Sequence, residues 1–124
     1  MDNVLAPLIP YGITKDDRDN AKELLEIAGL GNRMKHKPKE LSGGQKQRVA
    51  ICRALINDPL VILGDEPTGN LDSTTGSEIM DLLTKINKER NATIIVVSHD
   101  PRVTKYASRL IELEDGQIIR DSSI

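Results

Sequence analysis

The sequence predicts an α/β fold: a sandwich built on a parallel sheet, with a helical lobe at its front and a β-hairpin at its end. Three observations predict it. The elements run helix, helix, strand, helix, strand, helix, hairpin. The run Thr93 to Val97 is β-branched throughout and apolar after its first residue, as suits a parallel-sheet strand covered on both faces. Helical stretches with a single apolar stripe flank that run and the earlier apolar run at Leu60 to Leu63.

Met1 to Gly12 is apolar and broken by Pro7, Pro10 and Gly12, so it reads as an irregular packed segment. Thr14 opens a helix, with Asp17 three residues on as its capping-box acid. Ala21, Leu24, Leu25 and Ala28 recur at helical spacing, and Gly29 is the stop. Leu30 to Glu40 is polar, basic and loop-like. A second helix starts at Ser42, with Val49, Cys52, Leu55 and Ile56 as its apolar stripe and Asn57-Asp58-Pro59 as its end. Leu60 to Leu63 reads as a buried strand. Asp72 or Ser73 caps a third helix whose inner face is Ile79, Leu82, Leu83 and Ile86. Thr93 to Val97 is the second strand, and a short helix around Pro101 to Ala107 follows. Leu110 to Leu113 and Gln117 to Ile119, joined through Asp115-Gly116, form the terminal hairpin.

Composition removes several function classes. Lys and Arg total 17 against 19 for Asp and Glu, so no basic excess points to nucleic acid. Tyr11 and Tyr106 are the only aromatic residues, too few for a base-stacking platform. A lone Cys52 suits a reducing compartment. No signal-peptide pattern or long apolar run appears, so the expectation is a chain neither secreted by that route nor membrane-spanning.

Two short stretches carry chemistry. Taken alone, Ser42 followed by Gln45 is a capping box. Gly43 and Gly44 inside the first turn are unusual, because each glycine costs a helix roughly 1 kcal/mol against alanine. Their gain is close approach: bare N–H groups at the positive end of a helix, with the Ser42 hydroxyl, make a phosphate site. The second stretch is Val61 to Glu66. An apolar strand ending in two acids puts both at the carboxyl edge of the sheet, where open α/β folds bind ligands. Asp65 is placed to hold Mg²⁺ through water, and Glu66 to polarise an attacking water; the alternative is a solvated acid pair. His99, which taken alone reads as a surface or capping residue, follows the second strand and falls at the same edge as Glu66, where it could bond a terminal phosphate oxygen. Asp72 by itself is a helix cap.

The run Leu41-Ser42-Gly43-Gly44-Gln45, with Gln47 to Ile51 and Arg53-Ala54-Leu55, resembles the signature motif of ABC-type ATP-binding cassettes. Ile62 to Pro67 resembles their Walker B strand and catalytic glutamate, Gly69 to Asp72 their D-loop, and Ser98-His99-Asp100 their H-switch. The motifs stand in family order and spacing across nearly the whole chain. Glu66 to Ser73 is most similar to the ATPases of lipoprotein-releasing, macrolide-export and antimicrobial-peptide-resistance systems. The resemblance implies a partial P-loop NTPase (ABC ATPase) fold, corresponding to the C-terminal half of a cassette. Residues 1–41 would be a remnant of the helical subdomain, 42–57 the signature helix, and 58–124 the Walker B, D-loop and H-switch core.

The resemblance also assigns roles. Glu66 and His99 would be catalytic, and Asp65 would hold Mg²⁺ through water. Asp72 would lie in the D-loop. Ser42, Gly43, Gly44 and Gln45 would bind nucleotide across the interface of a head-to-tail pair of cassettes. Cofactors would be ATP and Mg²⁺, and partners a second cassette and a permease. Location would be the cytoplasm or, peripherally through the permease, the cytoplasmic face of the cell membrane. The departure from the pattern is that no Walker A loop or glutamine switch loop occurs in the 124 residues. Gly64 to Gly69 has the glycine spacing of a phosphate loop, but Asn70-Leu71 replaces its Lys and hydroxyl residue. The expectation is therefore a transporter ATPase segment that neither binds ATP tightly nor hydrolyses it alone. The alternative is a non-catalytic interaction module or degenerate gene product supplying only the signature surface. The family topology further implies that Thr93 to Val97 presents an exposed apolar edge.

Overall fold

The computed structural model describes residues 1–124. Four α-helices span Asp2–Leu5 (α1), Lys15–Ile27 (α2), Gly43–Leu55 (α3) and Ser73–Arg90 (α4). Four strands span Val61–Asp65 (β1), Thr93–Val97 (β2), Arg109–Glu114 (β3) and Gln117–Ser123 (β4). Strands β1 and β2 pair in parallel, from Val61 opposite Thr93 to Asp65 opposite Val97. Strands β3 and β4 form a separate antiparallel hairpin with an irregularity at Glu112/Leu113. Asp115 and Gly116 close it at φ of 47° and 76°, the left-handed pair that a tight two-residue turn requires.

The helix boundaries follow from local chemistry. Thr14 and Asp17 form a reciprocal capping box on α2, and Ser42 and Gln45 form another on α3. Helix α2 ends on Gly29 at φ 73°, where the Leu30 N–H donates to the Leu25 carbonyl and the Gly29 N–H to that of Glu26. These bonds satisfy carbonyls that the helix leaves without partners. Helix α4 starts on Asp72, whose side chain accepts from the Thr75 N–H, and stops on Asn91 at φ 52°.

The four helices bury one apolar cluster. Val4, Leu5, Leu24, Cys52 and Ile79 lie at its centre, Ile62 is the strand residue within it, and Ile94 and Val96 pack against its margin. Each fully buried aliphatic side chain contributes about 1.5–3 kcal/mol of transfer free energy. Polar ties cross the same helices. The half-buried Arg48 donates to the Ala28 carbonyl (3.0 Å) and to Glu78 (2.8 Å), joining the end of α2 to α3 and α4.

Several expectations require correction. Met1 to Gly12 is ordered into α1 and a 3-10 helix over Ala6–Tyr11. The segment before α3 contains 3-10 turns at Gly31–Arg33 and Pro38–Glu40, and the helix at Pro101–Tyr106 is also 3-10. The hairpin strands are longer than their apolar stretches. The strands also differ from expectation in burial. Leu60 and Leu63 are 84% and 76% exposed, and Ile95 and Val97 also lie open. The reason is geometric. Strand side chains alternate between faces. Helix α4 packs against β2, leaving Thr93, Ile95 and Val97 on the open side. The apolar runs specify strands, but no helix layer covers the second face.

Candidate functional site

The carboxyl ends of the parallel strands bring together residues 33 apart in sequence. The register sets Asp65 beside Val97, so that the next residues, Glu66 and Ser98, leave the sheet together. The Glu66 N–H donates to the Val97 carbonyl at 2.8 Å, which extends the ladder by one bond. Glu66 then turns sharply, at φ 45°, and its carbonyl accepts from the Gly69 N–H at 2.9 Å. The other non-glycine residues at positive φ are asparagines and aspartates, for which the region is ordinary. For glutamate it costs of order 1–3 kcal/mol, strain of the kind that gathers at functional sites.

Three donors hold the Glu66 side chain. Oε1 accepts from the His99 backbone N–H (3.0 Å) and lies 2.6 Å from the ring Nδ1; Oε2 accepts from the Ser98 hydroxyl (3.1 Å). The His99 hydrogen bond, assisted by Ser98, holds the Glu66 carboxyl below its usual range. The same bond and the carboxylate charge raise His99 above the ordinary imidazole value. With Nδ1–H given to Glu66, the remaining Nε2 belongs to a ring whose side chain is 88% exposed. Ser98 also accepts from the Asp100 N–H at 3.1 Å, which anchors the hydroxyl. Its role was missed in the sequence, where the only signal is a hydroxyl residue between a strand and a histidine.

Asp65 ends β1 as an exposed carboxylate. No group of three or more His, Cys, Asp or Glu side chains gathers anywhere in the chain to hold a metal. One hard oxygen ligand fits Mg²⁺ only where phosphate and water complete the shell, which is the usual way that ion is bound.

The start of α3 is open at Ser42 and Gly43. The Ser42 hydroxyl accepts from the Gln45 N–H (3.2 Å), and the Gln45 side chain accepts from the Ser42 N–H (3.0 Å). Gly44 is different: it is buried, and a methyl group there would lie 2.4 Å from Thr75 Cγ2. Glycine at this position therefore has a packing cause besides the anion approach read from the sequence. Asp72 caps α4 and also accepts the Thr75 hydroxyl at 2.7 Å.

Comparison with known proteins shows the family. A family model described as ABC transporter matches residues 2–69, more than half of the chain. The chain belongs to the ABC transporter family. It is 43% identical over 122 residues to the lipoprotein-releasing system ATP-binding protein LolD of Geobacter metallireducens, covering 98% of this chain and 54% of that one. It is 51% identical over 120 residues to the macrolide export ATP-binding/permease protein MacB 1/2 of Paracoccus denitrificans, covering 96% of this chain and 18% of that one. The dimeric ATP-binding cassette MJ0796, solved with ADP and Pi, superposes with a TM-score of 0.79 at 46% identity, over 98% of this chain and 55% of that one. The fold is thus that of the ABC ATPases, and the ancestry that of ATP-hydrolysing proteins. The ABC chain spans about half the length of the ATP-binding relatives it matches. No helix of it is long and apolar enough to cross a membrane.

Proposed function

We propose that this ABC chain supplies the signature, Walker B, D-loop and H-switch elements of a transporter ATPase that couples ATP binding and hydrolysis to export. The observation that carries the reading is the Glu66 carboxylate, held ionised by Ser98 and His99 at the carboxyl edge of the parallel strands. A carboxylate with a lowered pKa is a weak proton acceptor but a persistent negative charge, which suits orienting and polarising a water. His99, raised toward its charged form, offers Nε2–H to a terminal phosphate oxygen. Asp65 would hold Mg²⁺ through water, and the ion would supply charge neutralisation at the phosphates. Residues 1–41 act as the helical lobe, 42–57 as the signature helix and 58–124 as the hydrolytic core.

Ser42, Gly43, Gly44 and Gln45 act on nucleotide held by a second cassette in a head-to-tail pair, in keeping with the dimeric form of MJ0796. A permease partner is the natural counterpart, since MacB is itself an ATP-binding/permease protein. The chain would then meet the cytoplasmic face of the membrane through that partner. The 124 residues contain no Lys-bearing phosphate loop, so most triphosphate charge lacks compensation within them.

Calorimetry and reconstitution test the reading together. ATP titrated into the chain alone should give no saturation at micromolar concentration. Addition of a separately made Walker A segment from a related cassette should give hydrolysis that Glu66→Gln abolishes. Micromolar binding by the chain alone, or hydrolysis indifferent to Glu66→Gln, would overturn it. No hydrolysis in the mixture would favour a module that lends only its signature surface.

A further inference from the structure

Helices α3 and α4 meet at their N-terminal turns, and the meeting is tight at one atom. A Cβ on Gly44 would stand 2.4 Å from Thr75 Cγ2, a separation real side chains do not adopt, and one on Gly43 would stand 3.4 Å from Leu71 Cδ2. Thr75 cannot easily rotate away. Its N–H donates to Asp72 Oδ1 at 2.9 Å and its hydroxyl to Asp72 Oδ2 at 2.7 Å. A β-branched side chain with its hydroxyl pinned has one χ1 setting left, and that setting directs the methyl at Gly44. Both glycines of the signature therefore back onto the segment Leu71 to Thr75.

We infer that Thr75 is a positioning residue: its methyl, aimed by Asp72, seats the first turn of α3 so that Ser42 and Gly43, which lie open at the helix start, and the Asp72 loop hold one fixed relation. The inference rests on the proposed function for its consequence, namely that the seated turn faces nucleotide. The seating itself is a property of this chain alone. It gives Gly44 a demand separate from the anion approach read from the sequence: no side chain toward Thr75.

Substitutions at the two positions separate those demands. Gly44→Ala adds the methyl that collides, and Thr75→Ser removes the atom it collides with while keeping the hydroxyl for Asp72. In NMR spectra of the 124-residue chain, Gly44→Ala should shift the amide signals of Ser42 to Gln45 and of Asp72 to Thr75. Gly44→Ala with Thr75→Ser should return both sets toward their original positions. Additive shifts, with no return, would overturn the inference. Where Gly44→Ala alone does not fold, Thr75→Val provides the check. It keeps the methyl but loses the Asp72 hydroxyl bond, and should move the Gly43 and Gly44 amides; unmoved amides would again overturn it.

In the reconstituted mixture, a displaced turn of about 1 Å predicts a loss of order 100-fold in hydrolysis for Gly44→Ala. Thr75→Ser should recover most of that loss. A glycine needed only for anion approach would not be rescued by a change behind it, and absence of rescue would overturn the positioning role. If the unsubstituted mixture does not hydrolyse ATP, the proposed function fails while the NMR rescue still decides whether the seat exists.

Discussion

Glu66 and His99 show how a residue's state depends on a neighbour that is remote in sequence. Their contact exists because the parallel register brings Asp65 and Val97 abreast. Linkage gives the pair a defined pH window. The Glu66 contribution, from a lowered pKa, is present above the ordinary glutamate value of ~4.3 and is lost as pH falls through the folded value. The His99 contribution, from a raised pKa, is present below ~6.5 and is lost as pH rises through the folded value. Both are in full force only between those limits. His99 is 88% exposed, so solvent screens the pair, and titration reports it better than melting does. The His99 ring should titrate above the ordinary imidazole value by NMR, and Glu66→Gln should return it to that value. An unchanged midpoint would remove the ion pair from the account. At this scale the sequence revealed which residues share an edge. It did not reveal Ser98 as the second holder of the carboxylate, because a hydroxyl has no periodicity or spacing to mark it.

Caps and buried side chains control the helices. Asp72 bonds both the backbone and the hydroxyl of Thr75, and those bonds hold its own carboxyl below the usual range. Asp72→Ala should lower the melting temperature by a few degrees. Thermal unfolding by circular dichroism checks the value; an unchanged midpoint would show the cap to be idle. Cys52 lies inside α3, buried, with its thiol donating to the Leu24 carbonyl at 3.3 Å. Burial pushes its pKa up to about 12. A thiol reagent at neutral pH should therefore react only when the helices open, at a rate that tracks denaturant. Prompt reaction in native buffer would contradict the packing of α2 on α3. Helix boundaries were legible here because caps and stop residues are local: Thr14, Gly29, Ser42 and Asp72 each act within a few residues. The 3-10 turns at Ala6–Tyr11, Gly31–Arg33 and Pro38–Glu40 were not, since their short i to i+3 bonds leave no apolar period.

Across the whole molecule, the imbalance lies in the sheet. Strands β1 and β2 have only each other as partners, so each offers a free edge. Leu63 and Val97, 76% and 61% exposed, lie on its uncovered side. Free edges beside an apolar face favour association. The 124-residue chain should sediment above its 13.7 kDa monomer mass, and Leu63→Lys with Val97→Lys should move it toward that mass. A clean monomer at high concentration would show that the open face is tolerated.

The sequence by itself determined the three long helices, the two apolar strands, the family, and the edge on which Glu66 and His99 meet. Those depend on caps, periodicity and short motifs, which are written in neighbouring residues. Only the tertiary structure decided that one side of the sheet stays uncovered, that Ser98 shares Glu66, and that Gly44 backs onto Thr75. Burial and close approach depend on what another segment places opposite a residue, and no local pattern records that.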